Sequence, residues 1–462
     1  MTLLILSHTT IFIILTLLVF LVGTYYNFYF VQAQEGVTIF KSPGDTFKQI
    51  GNGTGPTVRD DNLKIETVIK GLKFPTSMTF LGADDILVLE KNNGTVRRIV
   101  NGNMLDEPLL DVNVGNKKER GMLGVAISEK SKKDHKQTVY VFIYYTETKS
   151  KDGEDLEEDG VVLGNRLYRY ELENNKLINP KLLLDIPAEP GSDHQGGVVL
   201  IGPDENVYLI TGDVNHFGEA QNKIYGKPDG TSGILRVTQD GMPVGKGVLG
   251  DTHPLNRYYA YGIRNGFGMD FDPVTGKLWD TENGIECCDE INIVEQGFNS
   301  GWAIVQGIWK LNQSDRIDKD GIFNETLNKG ELIDFDGKGK YSSPEFMWDY
   351  SVGPSAIKFL NSANLGQQYK NDLFVGNVNY QSLYHFDLTE NRTELVLSGS
   401  LKDKIASKSD VEELIFAKDF GGITDIDVGP DGNLYILSLS DSWNENQSLP
   451  EGSIFKISKS DN

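Results

Sequence analysis

Residues Tyr261–Trp302 read YGIRNGFGMDFDPVTGKLWDTENGIECCDEINIVEQGFNSGW. An Arg-Asn pair leads into a short β-rich run, Asp272 to Gly276 has the composition of a tight turn, and the return run carries the acidic loop Asp289-Glu290. An unbulged antiparallel register about that turn sets Arg264 opposite Ile285 and Asn265 opposite Gly284. A cation, an amide and a loop suited to a hard cation then share one end of a hairpin.

A second hairpin repeats the layout with different chemistry. His194 precedes the turn Gly202-Pro203-Asp204-Glu205 by eight residues and Asp213 follows it by eight, so the same mirror rule pairs them. An imidazole held in one tautomer by a carboxylate is the usual construction of a general base. Gly196-Gly197, directly after the His, would let a ligand approach closely. The plain alternative is a loop histidine that only hydrogen-bonds.

Outward from these hairpins, a turn rich in Asp and Gly followed by short β-branched and aromatic runs recurs at Gly82 to Ile99, Val139 to Leu172, Gly202 to Val237, Asp272 to Val294, Lys370 to Leu388 and Gly429 to Ile457. The repetition, together with abundant Gly and few long amphipathic patterns, predicts an all-β chain folded as a six-bladed β-propeller over residues 64–462. A pair of β-sandwiches is the other all-β solution. In a propeller, His194 and Arg264 occupy equivalent places in consecutive units and should face one another across the channel mouth.

A formal net charge of -22 and the absence of a basic stripe exclude a nucleic-acid partner. The acidic run Lys149 to Gly160 reads as a solvated loop. Residues 1–34 contain no charged side chain and carry the apolar run Ile11 to Gly23, which predicts a signal peptide or an N-terminal membrane anchor. On that reading the body is extracytoplasmic, secreted or anchored to the outer face of the membrane, and touches a membrane only through residues 1–34. Residues 35–63 read as a polar linker. Six N-x-Ser/Thr sequons, at Asn52, Asn93, Asn312, Asn324, Asn391 and Asn446, are compatible with export. Cys287 and Cys288 are the only cysteines; they form either a vicinal disulfide or two free thiols. Gly245 to Gly250 matches G-x-G-x-x-G by chance, since no helix follows it, and neither a zinc-ligand pair of histidines nor G-x-S-x-G occurs.

The segments Glu119 to Gly124, Asp193 to Gly197 with Gly212-Asp213, and Tyr261 to Trp302 together resemble the soluble quinoprotein glucose/sorbosone dehydrogenases, six-bladed propellers that oxidise aldoses with pyrroloquinoline quinone (PQQ) and calcium. The resemblance runs from about residue 64 to 458. It implies that His194 is the base taking the proton from the sugar hydroxyl during hydride transfer and that Asp213 orients its ring. Arg264 would stabilise negative charge on the quinone and Asn265 would hold one of its oxygens. By the same resemblance the backbone carbonyls of Gly284 and Ile285 ligate the cofactor calcium, Asp289 and Glu290 serve a second, structural calcium, and Glu119 and Asp193 contact substrate. The implied partners are a small-molecule sugar and an electron acceptor that the sequence does not name.

The chain departs from that pattern at three places where basic residues are expected: Asn379, Gly422 and Thr424. At about 1.5 to 3 kcal/mol for each charged hydrogen bond, losing three weakens an anionic quinone by roughly 4 to 9 kcal/mol. Lys358 and Lys418 are the candidates to compensate. A propeller that binds a glycan or protein without turnover, calcium-dependent but not catalytic, is therefore the competing function, with a metal-dependent lactonase behind it.

Overall fold

The computed structural model describes residues 55–131, 137–149, 161–215, 218, 220–222, 228–312, 316–324, 328, 330–440 and 451–460. The expectations for residues 1–34, for the acidic run beyond Lys149 and for the sequons at Asn52 and Asn446 lie outside these. Among the described residues no helix is long and apolar enough to cross a membrane.

The chain is all-β, as the recurrent turns and β-branched runs predict. Among the described residues, six of the seven sheets each carry four antiparallel strands taken in chain order from one region; the seventh is a small three-stranded sheet, Val305–Gln306, Trp309–Leu311 and Ile317–Ile322. Sheet I begins with Pro75–Gly82, sheet II with Met122–Ser131, sheet III with Val199–Ile201, sheet IV with Gly266–Phe271, sheet V with Pro354–Phe359 and sheet VI with Gly422–Val428. Sheet VI is the exception in connectivity. Its fourth strand is Leu63–Lys73, which pairs with Glu451–Lys459 from the far end of the chain in a register running from Leu63↔Lys459 to Lys73↔Glu451. The first strands of the six sheets contact one another in the order I, II, III, IV, V, VI and back to I.

Apolar side chains fill the spaces between neighbouring sheets. Leu123, Phe142 and Tyr144 of sheet II pack with Val199, Leu209, Leu235 and Tyr258 of sheet III, and Trp279, Ile291 and Trp348 of sheet IV with Ile357, Val375 and Tyr384 of sheet V. Strands such as Val207–Thr211 are buried on both faces, which is why they read as continuous apolar or β-branched runs; Leu278–Glu282 is equally buried but turns Asp280 and Glu282 inward.

The linker ends earlier than its polarity suggests. Thr57–Val58 forms a strand against Ile415–Lys418, with Thr57↔Lys418 and Val58↔Ala417. Arg59 donates to the carbonyl oxygens of Glu412 and Glu413, and the Tyr369 hydroxyl donates to Asp60. Polar side chains tied to partners far away in sequence looked like a solvated tether.

Candidate functional site

The His194 hairpin turns one residue later than the mirror rule assumes. Gly202 and Asn206 close it, and the ladder runs Val199↔Leu209, Leu200↔Tyr208, Ile201↔Val207. Continued toward the site, that register sets the His194 backbone against Val214, whose N–H donates to the His194 carbonyl at 3.1 Å. His194 itself has φ 58°, a left-handed conformation uncommon outside glycine, and its ring lies against Asp213, with Nδ1 to Oδ1 at 2.6 Å. Asp213 is wholly buried. The chain itself demands the double glycine. A Cβ on Gly196 would come within 2.7 Å of the Ile210 carbonyl oxygen, and one on Gly197 within 2.7 Å of the Leu123 Cβ.

Asp213 has a second donor. The Trp302 indole N–H reaches its other oxygen, Oδ2, at 2.6 Å, and the Arg264 guanidinium lies over the Trp302 ring at 5.4 Å from the centroid. The Asp213 N–H in turn donates to the Arg264 carbonyl. His194, Asp213, Trp302 and Arg264 thus form one buried cluster drawn from three separate segments. Trp302 ends the stretch that carries the fold, yet it sits 89 residues from Asp213 and no local spacing links them.

At the second hairpin the register Met269↔Asp280 follows the mirror rule, but a bulge between Gly266 and Gly268 advances the partner strand by one. Asn265 therefore faces Asn283, whose N–H donates to the Asn265 carbonyl at 2.8 Å, and not Gly284. The Arg264 Nη1 donates to the Asn283 carbonyl at 2.8 Å rather than meeting Ile285. Its Nε is buried with no protein partner, a donor left for a ligand acceptor.

Glu119 and Asn265 meet across sheets II and IV. The Asn265 amide donates to both Glu119 oxygens at 3.3 and 3.1 Å, and the Gln195 N–H donates to Oε2. Burial pushes the Glu119 carboxyl above the usual carboxylate range, against the pull of the nearby His194. Asp193 lies at the exposed edge, its carboxylate 2.6 Å from Lys118 Nζ.

The acidic loop divides into two roles. Asp289 accepts from the Gly284 N–H with one oxygen and from the Val352 and Gly353 N–H groups with the other, so it brackets the Gly284 loop to the start of sheet V. Cys287 and Cys288, in the same loop, are joined by a disulfide. Glu290 points the other way, into a fully enclosed set of oxygens. The register places Glu282 opposite Glu290 and Asp280 opposite Asn292 on one face of the sheet. Both Asp280 oxygens, Glu282 Oε1, Asn292 Oδ1 and Gln306 Oε1 are buried with no hydrogen-bond donor. Burial, and then the neighbouring carboxylates, push Asp280 up to about 8, Glu290 up to about 7 and Glu282 well above its ordinary value. Unpartnered buried carboxylates are costly, and a set of oxygens without donors is what a hard cation requires. The carboxylate oxygens without donors belong to Asp280 and Glu282; Glu290, facing them, accepts from the Gly307 N–H and from the Gln306 and Asn292 amides, and Asp289 is committed to backbone N–H groups.

The two lysines considered as replacements lie elsewhere. Lys358 is 2.9 Å from Asp427 and 3.6 Å from Asp270, between the first strands of sheets IV, V and VI. Lys418 is exposed at the end of the strand that pairs with Thr57–Val58. Asn379 donates weakly to the Ser351 carbonyl at 3.5 Å.

An imidazole with a fixed tautomer, set beside a buried guanidinium on an all-β frame, is the equipment of an enzyme. Residues 72–442 match the family model described as Glucose / Sorbosone dehydrogenase, and the chain belongs to that family of sugar oxidoreductases. Among curated relatives it is 25% identical over 382 residues to aldose sugar dehydrogenase YliI of Escherichia coli, covering 81% of this chain and 90% of that one. It is 28% identical over 274 residues to quinoprotein glucose dehydrogenase B of Acinetobacter calcoaceticus, covering 54% of each. Its fold is similar to the PQQ-bound form of aldose sugar dehydrogenase from Streptomyces coelicolor, with a TM-score of 0.57 at 21% identity over 86% of this chain and 98% of that one.

Proposed function

We propose that the chain is an exported, six-bladed propeller dehydrogenase that oxidises an aldose or a related sugar alcohol group, with His194 as the base. The observation that carries this reading is the His194–Asp213 hydrogen bond of 2.6 Å, backed by Trp302 and flanked by Arg264. The cyclic contacts among the six first strands and the closing strand Leu63–Lys73 support the propeller. Export rests on the uncharged, apolar segment 1–34 and agrees with a disulfide at Cys287–Cys288.

Asp213, accepting from Nδ1–H, leaves Nε2 of His194 as the lone-pair nitrogen that takes a proton from the sugar hydroxyl. The Trp302 N–H fixes the second Asp213 oxygen, so the carboxylate cannot rotate away from the ring. Asn265 and Glu119 offer the donor and acceptor that orient sugar hydroxyls, with Asp193 at the rim. PQQ, when bound, supplies the two-electron acceptor; Arg264, Asn265 and the carbonyls of Gly284 and Ile285 are the residues that would hold its quinone edge and a calcium beside it. The residues present fit that edge. They do not reproduce the cations for the carboxylate edge, because Asn379, Gly422 and Thr424 are neutral and Lys358 is already paired. A second calcium belongs with Asp280, Glu282 and Glu290.

The test is reconstitution of purified protein with PQQ and calcium, followed by dye reduction with a panel of aldoses. Sugar-dependent reduction should appear and should fall about 10²- to 10⁴-fold in His194→Ala. Absence of turnover by folded, cofactor-saturated protein would reject the reading. The neutral residues at 379, 422 and 424 favour one alternative, a propeller that binds glycan or protein without redox turnover; there, calcium-dependent glycan binding would persist in His194→Ala.

A further inference from the structure

Sheet V carries a group of metal-ligating side chains that the sugar chemistry does not use. The strands Leu373–Asn377 and Ser382–Phe386 pair with Leu373↔Phe386 and Phe374↔His385. One more step of that register sets Asp372 directly opposite Asp387, and His385 lies two residues from Asp387 on the same face. His385 Nε2 is 2.9 Å from Asp372 Oδ2 and 3.7 Å from Asp387 Oδ1, and the three ligand atoms lie within 4.8 Å of one another. Among the described residues no Lys or Arg forms an ion pair with either carboxylate. Asp60, on the far side of Tyr369, adds a further negative charge through the Tyr369 hydroxyl.

Two carboxylates facing each other across a strand pair repel, and a single imidazole carries at most one compensating charge. The imidazole is held rigidly: the rings of Tyr369, Phe374 and Phe416 surround it with centroids 5.0 to 5.9 Å away. A tetrahedral ion with bonds of about 2.0 to 2.1 Å has ligand–ligand edges of roughly 3.3 Å, between the two distances observed. Asp372 is buried, His385 partly so and Asp387 exposed, which leaves the remaining positions of such an ion open to water.

We infer that Asp372, His385 and Asp387 form a binding site for a divalent ion of the zinc type, which staples the two strands at the end away from the turn that joins them. One nitrogen and two carboxylate oxygens suit a borderline ion such as Zn²⁺; the oxygen-only pocket at Glu290 suits calcium. The site lies at the Phe359 end of the first strand of sheet V, whereas the Arg264 cluster lies at its Pro354 end, where the Asn283 amide donates to the Pro354 carbonyl. Its occupation is therefore independent of the sugar reaction.

The experiment uses the full purified protein freed of metals and then held in excess calcium, with Zn²⁺ alone as the probe. Calorimetry should show saturable one-to-one uptake, accompanied by a rise in Tm. His385→Ala should weaken uptake by about 10- to 100-fold or more. Asp387→Asn, at an exposed position where folding is not at stake, should weaken it and reduce the Tm rise. Absence of uptake by the wild type, uptake that survives His385→Ala, or full-strength uptake by Asp387→Asn would each overturn the site.

Discussion

Trp302 shows what a single side chain contributes to the site. Its N–H satisfies a wholly buried Asp213 oxygen while its ring lies under Arg264, so Trp302→Phe keeps the packing and removes one hydrogen bond. A carboxylate held less firmly orients the His194 ring less well. The rate of sugar oxidation should fall, and unfolding free energy should drop by about 0.5 to 1.5 kcal/mol for the hydrogen bond removed. A rate unchanged beside a lowered Tm would mean that Trp302 is only a packing residue. The His194–Asp213 pairing was legible because both flank one turn, although the register that suggested it is off by one and the left-handed His194 backbone restores the contact. Trp302 was not legible, since its partner is set by the meeting of two sheets.

At the scale of strands, the alternation in Asp280-Thr281-Glu282 and Glu290-Ile291-Asn292 places acidic and amide groups on a single buried face. That signal was present in the sequence. The loop at Asp289 drew attention instead, because acidic loops are the commoner cation sites. Without a cation, burial pushes Asp280 up to about 8 and Glu290 up to about 7, against about 4 in the unfolded chain. The native state then holds protons that the unfolded state has released, so the contribution of these groups to stability is fullest below about pH 4 and is lost as pH rises toward 8. Calcium replaces those protons. Saturating calcium should flatten the stability–pH curve over this window, and calcium affinity should increase with pH up to about 8. Urea unfolding at several pH values, with calcium and with chelator, measures both; Asp280→Asn with Glu282→Gln should abolish the difference. Equal slopes with and without calcium would exclude a cation there.

For the whole molecule, the all-β character was legible because each repeated unit needs its own turn chemistry and β-rich runs, and each of these runs falls in a different sheet. What joins them was not. Lys358 links the first strands of sheets IV, V and VI through Asp270 and Asp427, and Asp425 accepts from the Met78 N–H at the start of sheet I. Lys358→Met should leave these carboxylates facing one another and lower unfolding free energy by about 1 to 3 kcal/mol, less than for a fully enclosed pair because its side chain stays 22% exposed. Calorimetric unfolding would register the loss as one cooperative transition at reduced Tm, and no change would make the lysine a bystander.

The pairing of Leu63–Lys73 with Glu451–Lys459 also fixes the order in which the molecule can be completed. Leu63–Lys73 must wait for Glu451–Lys459, so sheet VI is completed only once the chain has been made through Lys459. The same pairing leaves both ends of the body side by side. A circular permutant joined by a short bridge across that seam, and opened at the exposed Asp204-Glu205 turn of sheet III, would keep every sheet while making closure a local event.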